Sequence, residues 1–228
     1  MPAGLDAIFL DLDGCLVDST RAIANSFDHA LRSAGIEPRS PEVTRSFIGP
    51  PLGASFNRIV AEEGRDQTLA AVLVERYRER YRAMSAIETT VFAGIPEALA
   101  ALRGEAPIAI VTSKLGRVAE RLVDDISLRA HVEVIYAPQD EHTLEAKEVT
   151  LRRALAATGA RPSATVMIGD REHDVLAGHA CGTMTIGVLW GAGDRAELEA
   201  ARAHRIAAAV EELHALVRGL AQGRGPSR

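Results

Sequence analysis

Hydrophobic residues follow two different periods along this chain. Short apolar runs rich in Ile and Val stand at residues 7–10 and recur from residue 108 onwards, and segments with apolar residues at helical spacing separate the later runs. Short apolar runs are typical of strands buried on both faces, whereas the helical spacing is typical of helices that cover a sheet. Strands that alternate with helices imply βαβ crossovers. The pattern therefore predicts a doubly wound α/β core with a mostly parallel sheet.

The apolar runs also give approximate bounds for the core elements. Strands are predicted at residues 8–10, 108–111, 132–136, 165–168 and 184–189. Helices are predicted at residues 96–102, 117–124, 144–157 and 174–180, from about residue 195, and at residues 210–220. Ligands of doubly wound sheets bind outside the carboxyl ends of the strands. The residues that follow each strand are therefore candidate site residues.

The pattern changes between residues 18 and 91, where no strand is predicted. The sequence Asp18-Ser19-Thr20 is favourable for a helix N-cap, and helices are expected at residues 20–33, 52–60 and 69–84. We therefore expect an all-helical cap domain, residues 18–91, inserted after the first strand of a core domain formed by residues 1–17 and 92–222. Residues 223–228 have little to bury and are expected to be a disordered tail.

Charge and cysteine content exclude several classes of function. The chain has 228 residues and a net charge of −5, with acidic and basic residues interspersed, so we expect neither a nucleic-acid partner nor a membrane partner. The early apolar run is interrupted by Asp11, so no leader or membrane span is expected. Cys15 and Cys181 are too few for a disulfide framework and are expected to be free thiols. These features predict a cytoplasmic protein.

The usage of basic residues is unusual. Of the 26 basic residues, 24 are arginines and only Lys114 and Lys147 are lysines. A guanidinium group is planar and wider than an ammonium group, so the two lysines are candidates for sites that need a compact charge.

The first strand ends in two carboxylates, Asp11 and Asp13. Side chains alternate along a strand, so both carboxylates are expected on the same side of the chain. Two close carboxylates repel each other and raise each other's proton affinity unless a cation lies between them. This arrangement predicts a bound divalent metal ion. The alternative interpretation is a turn in which the aspartates only end the strand.

Polar residues also follow two later strands. The strand at 108–111 leads into Thr112-Ser113-Lys114, and the strand at 165–168 leads into a segment that contains Asp170 and Asp174. Carboxylates from two strands, together with hydroxyl groups and a lysine, suit a hard cation and a phosphate group.

The chain contains four polar motifs in a fixed order. They are Asp11-Leu-Asp13-Gly-Cys-Leu-Val-Asp-Ser, Ile110-Val-Thr112-Ser-Lys, Lys147 within Glu145-Ala-Lys-Glu-Val, and Ile168-Gly-Asp170-Arg-Glu-His-Asp174. In this order they resemble the motifs of the haloacid dehalogenase superfamily, in its phosphatase branch with a helical cap after the first strand. A narrower resemblance to phosphoglycolate phosphatase-like proteins comes from residues 47–52 and 187–191.

The resemblance implies a catalytic role for each aspartate. Asp11 would attack phosphorus and form an aspartyl-phosphate, and Asp13 would protonate the leaving group and then deprotonate the attacking water. Mg²⁺ would be held by the Asp11 carboxylate, the Asp13 backbone carbonyl and Asp170. Asp174 would orient Lys147 or a metal-bound water.

The resemblance also implies how a small phosphorylated metabolite is bound. Thr112, Ser113 and Lys147 would bind the phosphoryl group. Lys114 is expected to be a surface lysine at the start of a helix, and the alternative is a second lysine that faces the phosphate. In the cap, Arg45, Gly49, Pro50 and Arg58 are candidates for binding the rest of the substrate. Arg80 belongs to a run of alternating arginines, residues 76–82, that is expected to be a solvated helix face.

Cys15 departs from the family pattern, which most often has threonine there. A thiol is a weaker hydrogen-bond donor than a hydroxyl group, so activity and resistance to oxidation are both in question at this position.

The resemblance predicts an enzyme that hydrolyses 2-phosphoglycolate, a nucleoside monophosphate or a sugar phosphate. A phosphomutase is one alternative, although residues 20–25 lack the histidine that mutases of the family place there. A phosphonate hydrolase is another, although the cap contains no lysine for a Schiff base. A pseudo-phosphatase with a regulatory role is the non-enzyme alternative. No oligomeric state is predicted.

Overall fold

A computed structural model of the chain describes residues 4–47, 52–140 and 145–223. The chain divides into a core unit, Met1–Val17 with Val91–Arg228, and a helical unit, Asp18–Thr90. The helices are α1 (Thr20–Ser33), α2 (Pro41–Arg45), α3 (Leu52–Glu62), α4 (Thr68–Glu88), α5 (Ile95–Leu102), α6 (Gly116–Asp125), α7 (Lys147–Thr158), α8 (Glu172–Cys181), α9 (Arg195–Ala200) and α10 (Leu213–Ala221). The strands are β1 (Ala7–Leu10), β2 (Val17–Asp18), β3 (Thr90–Val91), β4 (Ile108–Val111), β5 (Val134–Tyr136), β6 (Thr165–Gly169), β7 (Met184–Val188) and β8 (Arg205–Ala207).

A parallel sheet of six strands forms the centre of the core unit within the described residues. Its strand order is β5-β4-β1-β6-β7-β8, and β2 pairs with β3 in a separate two-stranded sheet. The sheet has helices between successive strands, as βαβ crossovers require. The predicted doubly wound α/β fold is therefore confirmed.

Strand β1 lies in the middle of this sheet because all of its residues are apolar and buried. Leu10 is in register with Ile110 of β4 on one side and with Ile168 of β6 on the other. The three strands therefore end together, and the residues that follow them meet at one edge of the sheet.

Both faces of β1 contribute to the hydrophobic core. Ile8 and Leu10 belong to a cluster on one face, and Phe9 belongs to a second cluster on the other face, which also includes Val111 and Met167. This alternation follows from the two-residue period of a strand. It explains why these strands read as continuous apolar runs in the sequence.

The helical unit has its own aromatic core. The Phe27 ring of α1 lies 4.9 Å from Phe47, 4.7 Å from Phe56 and 5.0 Å from Tyr77 (ring centroids), so rings from three later parts of this unit converge on α1. Residues 48–51, which include the predicted substrate residues Gly49 and Pro50, lie outside the described residues.

Several element bounds differ from the sequence-based prediction. Strands β2, β3 and β8 and helix α2 were not predicted, because none of these short segments has a clear apolar period. The prediction of an all-helical segment at residues 18–91 is therefore wrong at its two ends, where β2 and β3 contribute strand residues. Strand β5 starts at Val134 instead of residue 132 because a 3-10 turn occupies Arg129–His131. The predicted last helix begins with another 3-10 turn at Val210–Glu212.

The predicted helix 144–157 begins at Lys147, and residue 144 lies outside the described residues, as do residues 224–228 of the predicted tail. At the start of α1, the Ser19 side chain makes no capping bond, and the Asp18 carboxylate instead accepts from the Thr20 N–H at 3.0 Å. In the part of the chain that the structure describes, no helix is both long and apolar enough to cross a membrane.

Candidate active site

The chain leaves β1 in a tight loop that places Asp11 at the edge of the sheet. The Asp11 backbone N–H donates to the Ile168 carbonyl at 2.9 Å, which continues the pairing of β1 with β6 for one more residue. Gly14 follows with φ +82°, a conformation that favours glycine. A Cβ atom at Gly14 would also overlap the Asp170 carboxylate. The loop thus brings the first and last acidic motifs together.

Lys147 connects the carboxylates of Asp11 and Asp174. Its Nζ atom lies 2.7 Å from Asp11 Oδ1 and also contacts Asp174 Oδ1. All three residues are at least nine-tenths buried. The two contacts are ion pairs and not well-directed hydrogen bonds, and neither carboxylate oxygen has another partner among the described residues. Lys147 can reach both because it is the first residue of α7, at the edge of the sheet.

Asp174 uses its second oxygen to cap helix α8. Its Oδ2 atom accepts from the Arg171 backbone N–H at 3.1 Å. Gly169, at the end of β6, makes this position possible because a Cβ atom there would overlap the Asp174 side chain. Both oxygens of Asp174 are therefore engaged, one by Lys147 and one by the helix N-terminus.

Asp170 has one bound oxygen and one without a partner. Its Oδ2 atom accepts from the Ala192 backbone N–H at 2.7 Å. Its Oδ1 atom is buried and has no hydrogen-bond partner in the described part of the chain. A Cβ atom added at Gly14 or at Gly191 would overlap this carboxylate. The backbone thus encloses Asp170 closely and leaves one oxygen to bind something else.

The electrostatics of the three aspartates indicate what the second oxygen of Asp170 would bind. Burial, together with the nearby carboxylates of Asp174 and Asp11, raises the pKa of Asp170 to about 8. Burial also raises the pKa of Asp11 to about 6, although Lys147 opposes the shift. Burial alone would lower the pKa of Lys147, but Asp11 and Asp174 outweigh it and hold that pKa above its usual value. The oxygens of the three aspartates lie within 4.8 Å of one another. Three close buried carboxylates, of which only Asp11 and Asp174 pair with the Lys147 ammonium group, suit an additional cation.

Asp13 lies outside this carboxylate group. Its Oδ2 atom is 2.9 Å from Lys114 Nζ, and the two side chains are only 16% and 10% exposed. The prediction that Lys114 is a surface lysine is therefore wrong. Asp13 is also the smallest of the influences that raise the pKa of Asp11. The predicted repulsion within the first motif is thus weaker than the repulsion between the two motifs.

Thr112 and Ser113 follow β4 in the turn that leads to Lys114. Thr112 is buried, and its Oγ1 atom accepts from the Lys114 backbone N–H at 3.2 Å. The Thr112 hydroxyl proton can still be donated, as the predicted phosphate-binding role requires. The turn therefore brings the hydroxyl groups of the second motif to the same edge as Asp11.

Cys15 is buried in the first loop. Its Sγ–H donates to the Ile168 carbonyl at 3.7 Å, and its carbonyl accepts from Trp190 Nε1 at 2.9 Å. Burial, followed by Asp11 and the other acidic residues, raises the pKa of the thiol well above its usual value. The thiol is therefore protonated and of low reactivity. Trp190 thus links the loop after β1 to the loop after β7, which binds the Asp170 carboxylate. In the sequence, nothing except the single tryptophan signals this link.

The two candidate substrate residues that the structure describes in the helical unit, Arg45 and Arg58, are exposed. Arg45 ends α2, and Arg58 lies with its guanidinium 4.9 Å from the Phe47 ring centroid and 3.6 Å from a carboxylate oxygen of Glu62. Whether either arginine binds a substrate stays a prediction. The prediction of a solvated run is wrong for Arg80, which makes ion pairs with a buried glutamate.

The sequence matches the family of haloacid dehalogenase-like hydrolases over residues 8–188. It is 37% identical over 196 residues to a 5′-nucleotidase of Pseudomonas aeruginosa, an alignment that covers 85% of this chain and 86% of that protein. It is 30% identical over 200 residues to a phosphoglycolate phosphatase of Chromobacterium violaceum, covering 86% and 90% of the two chains.

Solved structures show the same fold. A crystal structure described as a predicted phosphatase from Clostridium acetobutylicum superimposes with a TM-score of 0.86 and 28% identity, and the alignment covers 95% of this chain and 99% of that one. The family model spans both the first strand and the motif that contains Asp170 and Asp174. The chain therefore belongs to the haloacid dehalogenase-like hydrolase family, as one of its phosphatases.

Proposed function

We propose that this phosphatase hydrolyses phosphate monoesters of small metabolites with Mg²⁺, through an aspartyl-phosphate on Asp11. The observation that carries the proposal is the buried group of Asp11, Asp170 and Asp174, in which Asp11 and Asp174 pair with the ammonium group of Lys147. A carboxylate paired with a fixed ammonium is kept ionised, and an ionised carboxylate is the form that can attack phosphorus.

The residues of this group fit a divalent cation. Asp170 Oδ1 is buried without a hydrogen-bond partner among the described residues, and carboxylate oxygens are preferred ligands of Mg²⁺. We propose that Asp170, the Asp11 carboxylate and the Asp13 backbone carbonyl hold the ion. Asp174 is a poorer ligand because Lys147 and the Arg171 N–H already engage its oxygens. When bound, Mg²⁺ supplies positive charge that offsets the repulsion between the Asp11 carboxylate and the phosphate.

The first chemical step forms the covalent intermediate. A carboxylate oxygen of Asp11 attacks phosphorus while the bond between phosphorus and the ester oxygen breaks. Asp13, in its protonated form, donates its proton to that ester oxygen, which leaves as an alcohol. Lys147 remains paired with Asp11 and fixes the direction of the attack.

The second step restores the enzyme. Asp13, now a carboxylate, accepts a proton from a water molecule as that water attacks the phosphorus of the aspartyl-phosphate. The bond between phosphorus and the Asp11 oxygen breaks, and inorganic phosphate is released. Asp13 is then protonated again, ready for the next ester.

Three groups are proposed to bind the phosphoryl oxygens. The hydroxyl groups of Thr112 and Ser113 donate hydrogen bonds, and Lys147 supplies charge. Thr112 is suited to this role because it is buried at the end of β4, so its hydroxyl group has few alternative orientations.

The substrate class is inferred from the relatives. Proteins at 37% and 30% identity are named 5′-nucleotidase and phosphoglycolate phosphatase. We propose a nucleoside monophosphate or 2-phosphoglycolate as the substrate class to test first, with sugar phosphates next. We also propose that the helical unit acts as the cap that selects the substrate, with Arg45 and Arg58 as its candidate contacts.

A substrate screen tests this proposal. The release of inorganic phosphate from nucleoside monophosphates, 2-phosphoglycolate, sugar phosphates and p-nitrophenyl phosphate would be measured with Mg²⁺ and with chelator. We expect turnover of at least one metabolite with Mg²⁺ alone, and a loss of at least about 10³-fold in kcat for Asp11→Asn.

Three results would refute the proposal. Undiminished turnover by Asp11→Asn would exclude the nucleophile. Transfer of phosphate to a second position of the substrate, without release, would favour a phosphomutase. Binding of Mg²⁺ and phosphate without turnover of any ester would favour a pseudo-phosphatase.

A further inference from the structure

The two lysines of the chain lie beside the two aspartates of the first motif. Lys147 Nζ is 2.7 Å from the Asp11 carboxylate, and Lys114 Nζ is 2.9 Å from the Asp13 carboxylate. The other 24 basic residues of the chain are arginines. The two aspartates of the first motif thus pair with different ammonium groups.

The backbone at Lys114 is fixed by hydrogen bonds on both sides of the residue. Its backbone N–H donates to Thr112 Oγ1 at 3.2 Å, in the turn between β4 and α6. Helix α6 is fixed in turn by the bond from the Gly116 N–H to the Pro138 carbonyl at 2.8 Å. The ammonium group is only slightly exposed, and its ion pair with Asp13 is therefore screened less than a surface pair.

Asp13 needs such a partner because it does not stand in the sheet. Its backbone forms an isolated bridge to Val17, and the residue after it, Gly14, has a positive φ. A strand would direct the side chain by its alternation, but a loop does not. The ion pair with Lys114 fixes the direction of the Asp13 side chain, which the loop backbone alone does not fix.

The separation of the two pairs has a chemical consequence. Asp11 and Asp13 perform different tasks in the proposed reaction, attack on phosphorus and proton transfer. If one lysine served both, the proton donor and the nucleophile would compete for the same ammonium. With Lys147 on Asp11 and Lys114 on Asp13, each carboxylate is oriented independently.

We propose that Lys114 is a positioning residue that orients Asp13 for proton transfer to the leaving group. This inference rests on the proposed function, because it assigns a task to the acid of that reaction. Asp13 transfers the proton, and Lys114 acts only through Asp13.

The inference makes a selective prediction about esters. Protonation of the leaving oxygen matters most for a strongly basic alkoxide and least for a weakly basic phenoxide such as p-nitrophenoxide. A variant with a misplaced Asp13 should therefore lose activity chiefly on alkyl phosphates. A lysine that bound the phosphate directly, or that only stabilised the fold, would affect both kinds of ester alike.

The test compares Lys114→Met with the wild-type enzyme on two substrates. These are p-nitrophenyl phosphate and the alkyl phosphate of the substrate screen that the wild type hydrolyses fastest. We expect kcat/KM to fall by about 100-fold for the alkyl ester and by less than about threefold for the aryl ester. Lys114→Arg keeps the positive charge. Its kcat/KM on the alkyl ester should therefore be at least about tenfold higher than that of Lys114→Met.

Two controls accompany these variants. Arg121→Met removes an exposed basic residue from α6, the helix that follows Lys114, where it pairs with Asp125 at 3.6 Å, and should leave both kcat/KM values unchanged. Asp13→Asn shows how the loss of the acid itself divides between the two esters. The melting temperature of each variant reports whether it is folded.

The outcomes separate this inference from the proposed function. If Asp13→Asn loses the alkyl ester selectively and Lys114→Met does not, the role of Lys114 is refuted while the mechanism stands. Equal losses on both esters by a folded Lys114→Met also refute it. If Asp11→Asn is fully active, the proposed function itself fails, whatever Lys114 does.

Discussion

Lys147 Nζ lies 2.7 Å from Asp11 Oδ1, so the first residue of α7 is paired with the first residue after β1. Both side chains are buried, and the same ammonium group also contacts Asp174. This pairing unites stability and chemistry, because the ammonium group that pairs with the proposed nucleophile also pairs with a second buried carboxylate.

Replacement of Lys147 should damage both folding and catalysis. Lys147→Met leaves Asp11 and Asp174 without their counterion, and a buried ion pair that loses one partner costs about 3–5 kcal/mol. We therefore expect the free energy of unfolding in urea, measured with chelator present, to fall by that amount. We also expect kcat to fall by at least about 10²-fold.

Arg152 provides a matched control on the same helix. It is 57% exposed and pairs with Glu148 at 2.7 Å. Arg152→Met should change the unfolding free energy by less than about 1 kcal/mol. Equal unfolding curves for wild type and Lys147→Met would contradict the account of this ion pair.

Gly191 should control the affinity for Mg²⁺. A Cβ atom at this position would overlap the Asp170 carboxylate, so Gly191→Ala must displace a proposed metal ligand. We expect the Mg²⁺ concentration for half-maximal activity to rise about 10-fold to 100-fold, as for other residues that orient metal ligands. Gly219→Ala, where a Cβ atom meets nothing within 4 Å, should leave that concentration unchanged. An unaltered Mg²⁺ dependence in Gly191→Ala would argue against Asp170 as a ligand.

The ion pair between Arg80 and Glu88 should make the stability of the helical unit depend on pH. The Arg80 guanidinium is 2.8 Å and 2.9 Å from the two Glu88 oxygens, and its hydrogen bonds lower the pKa of Glu88 below the ordinary value of 4.5. A lowered carboxyl pKa adds stability above the ordinary pKa, and that stability is lost as the pH falls through the lowered value. Glu88→Gln should cost about 2 kcal/mol near neutral pH and progressively less in acid.

Urea unfolding of wild type and Glu88→Gln between about pH 7 and pH 3 measures this difference. Glu79→Gln is the matched control, since Glu79 is 63% exposed and pairs with Arg76 on the same helix. Its effect should stay within about 0.5 kcal/mol at every pH. A Glu88→Gln effect that does not change with pH would refute the assignment.

Cys15 should resist modification in the native protein. It is fully buried, and its raised pKa keeps the thiol protonated. We expect a thiol-alkylating reagent to label Cys15 only after unfolding, and hydrogen peroxide to leave the activity intact. Rapid labelling of Cys15 in the folded protein, with parallel loss of activity, would show that the loop opens.

Most of the sheet could be predicted because its strands are buried on both faces. The four apolar residues of β4 coincide with the predicted range 108–111, and the same reasoning found β1 and β6. Strand β8 escaped prediction because it has three residues and begins with Arg205. Its place in the sheet comes from pairing with β7, which no local pattern reveals.

The site was predictable in its residues but not in its pairings. That the residues after β1 and β6 meet follows from the fold class. Whether Lys114 faces solvent or Asp13 depends on side-chain directions in two loops, and loops impose no period. The donor that holds Asp170 is the backbone N–H of Ala192, and a backbone group has no sequence signature.

The most direct test of the proposed mechanism is to trap the intermediate. The enzyme would be mixed with its best substrate carrying a radioactive phosphoryl group, quenched rapidly in acid and digested, and the labelled peptide sequenced. We predict label on the peptide that contains Asp11 in the wild-type enzyme with Mg²⁺, and none in Asp11→Asn or with chelator. Turnover at the full rate without label on Asp11, or label on another residue, would contradict the mechanism.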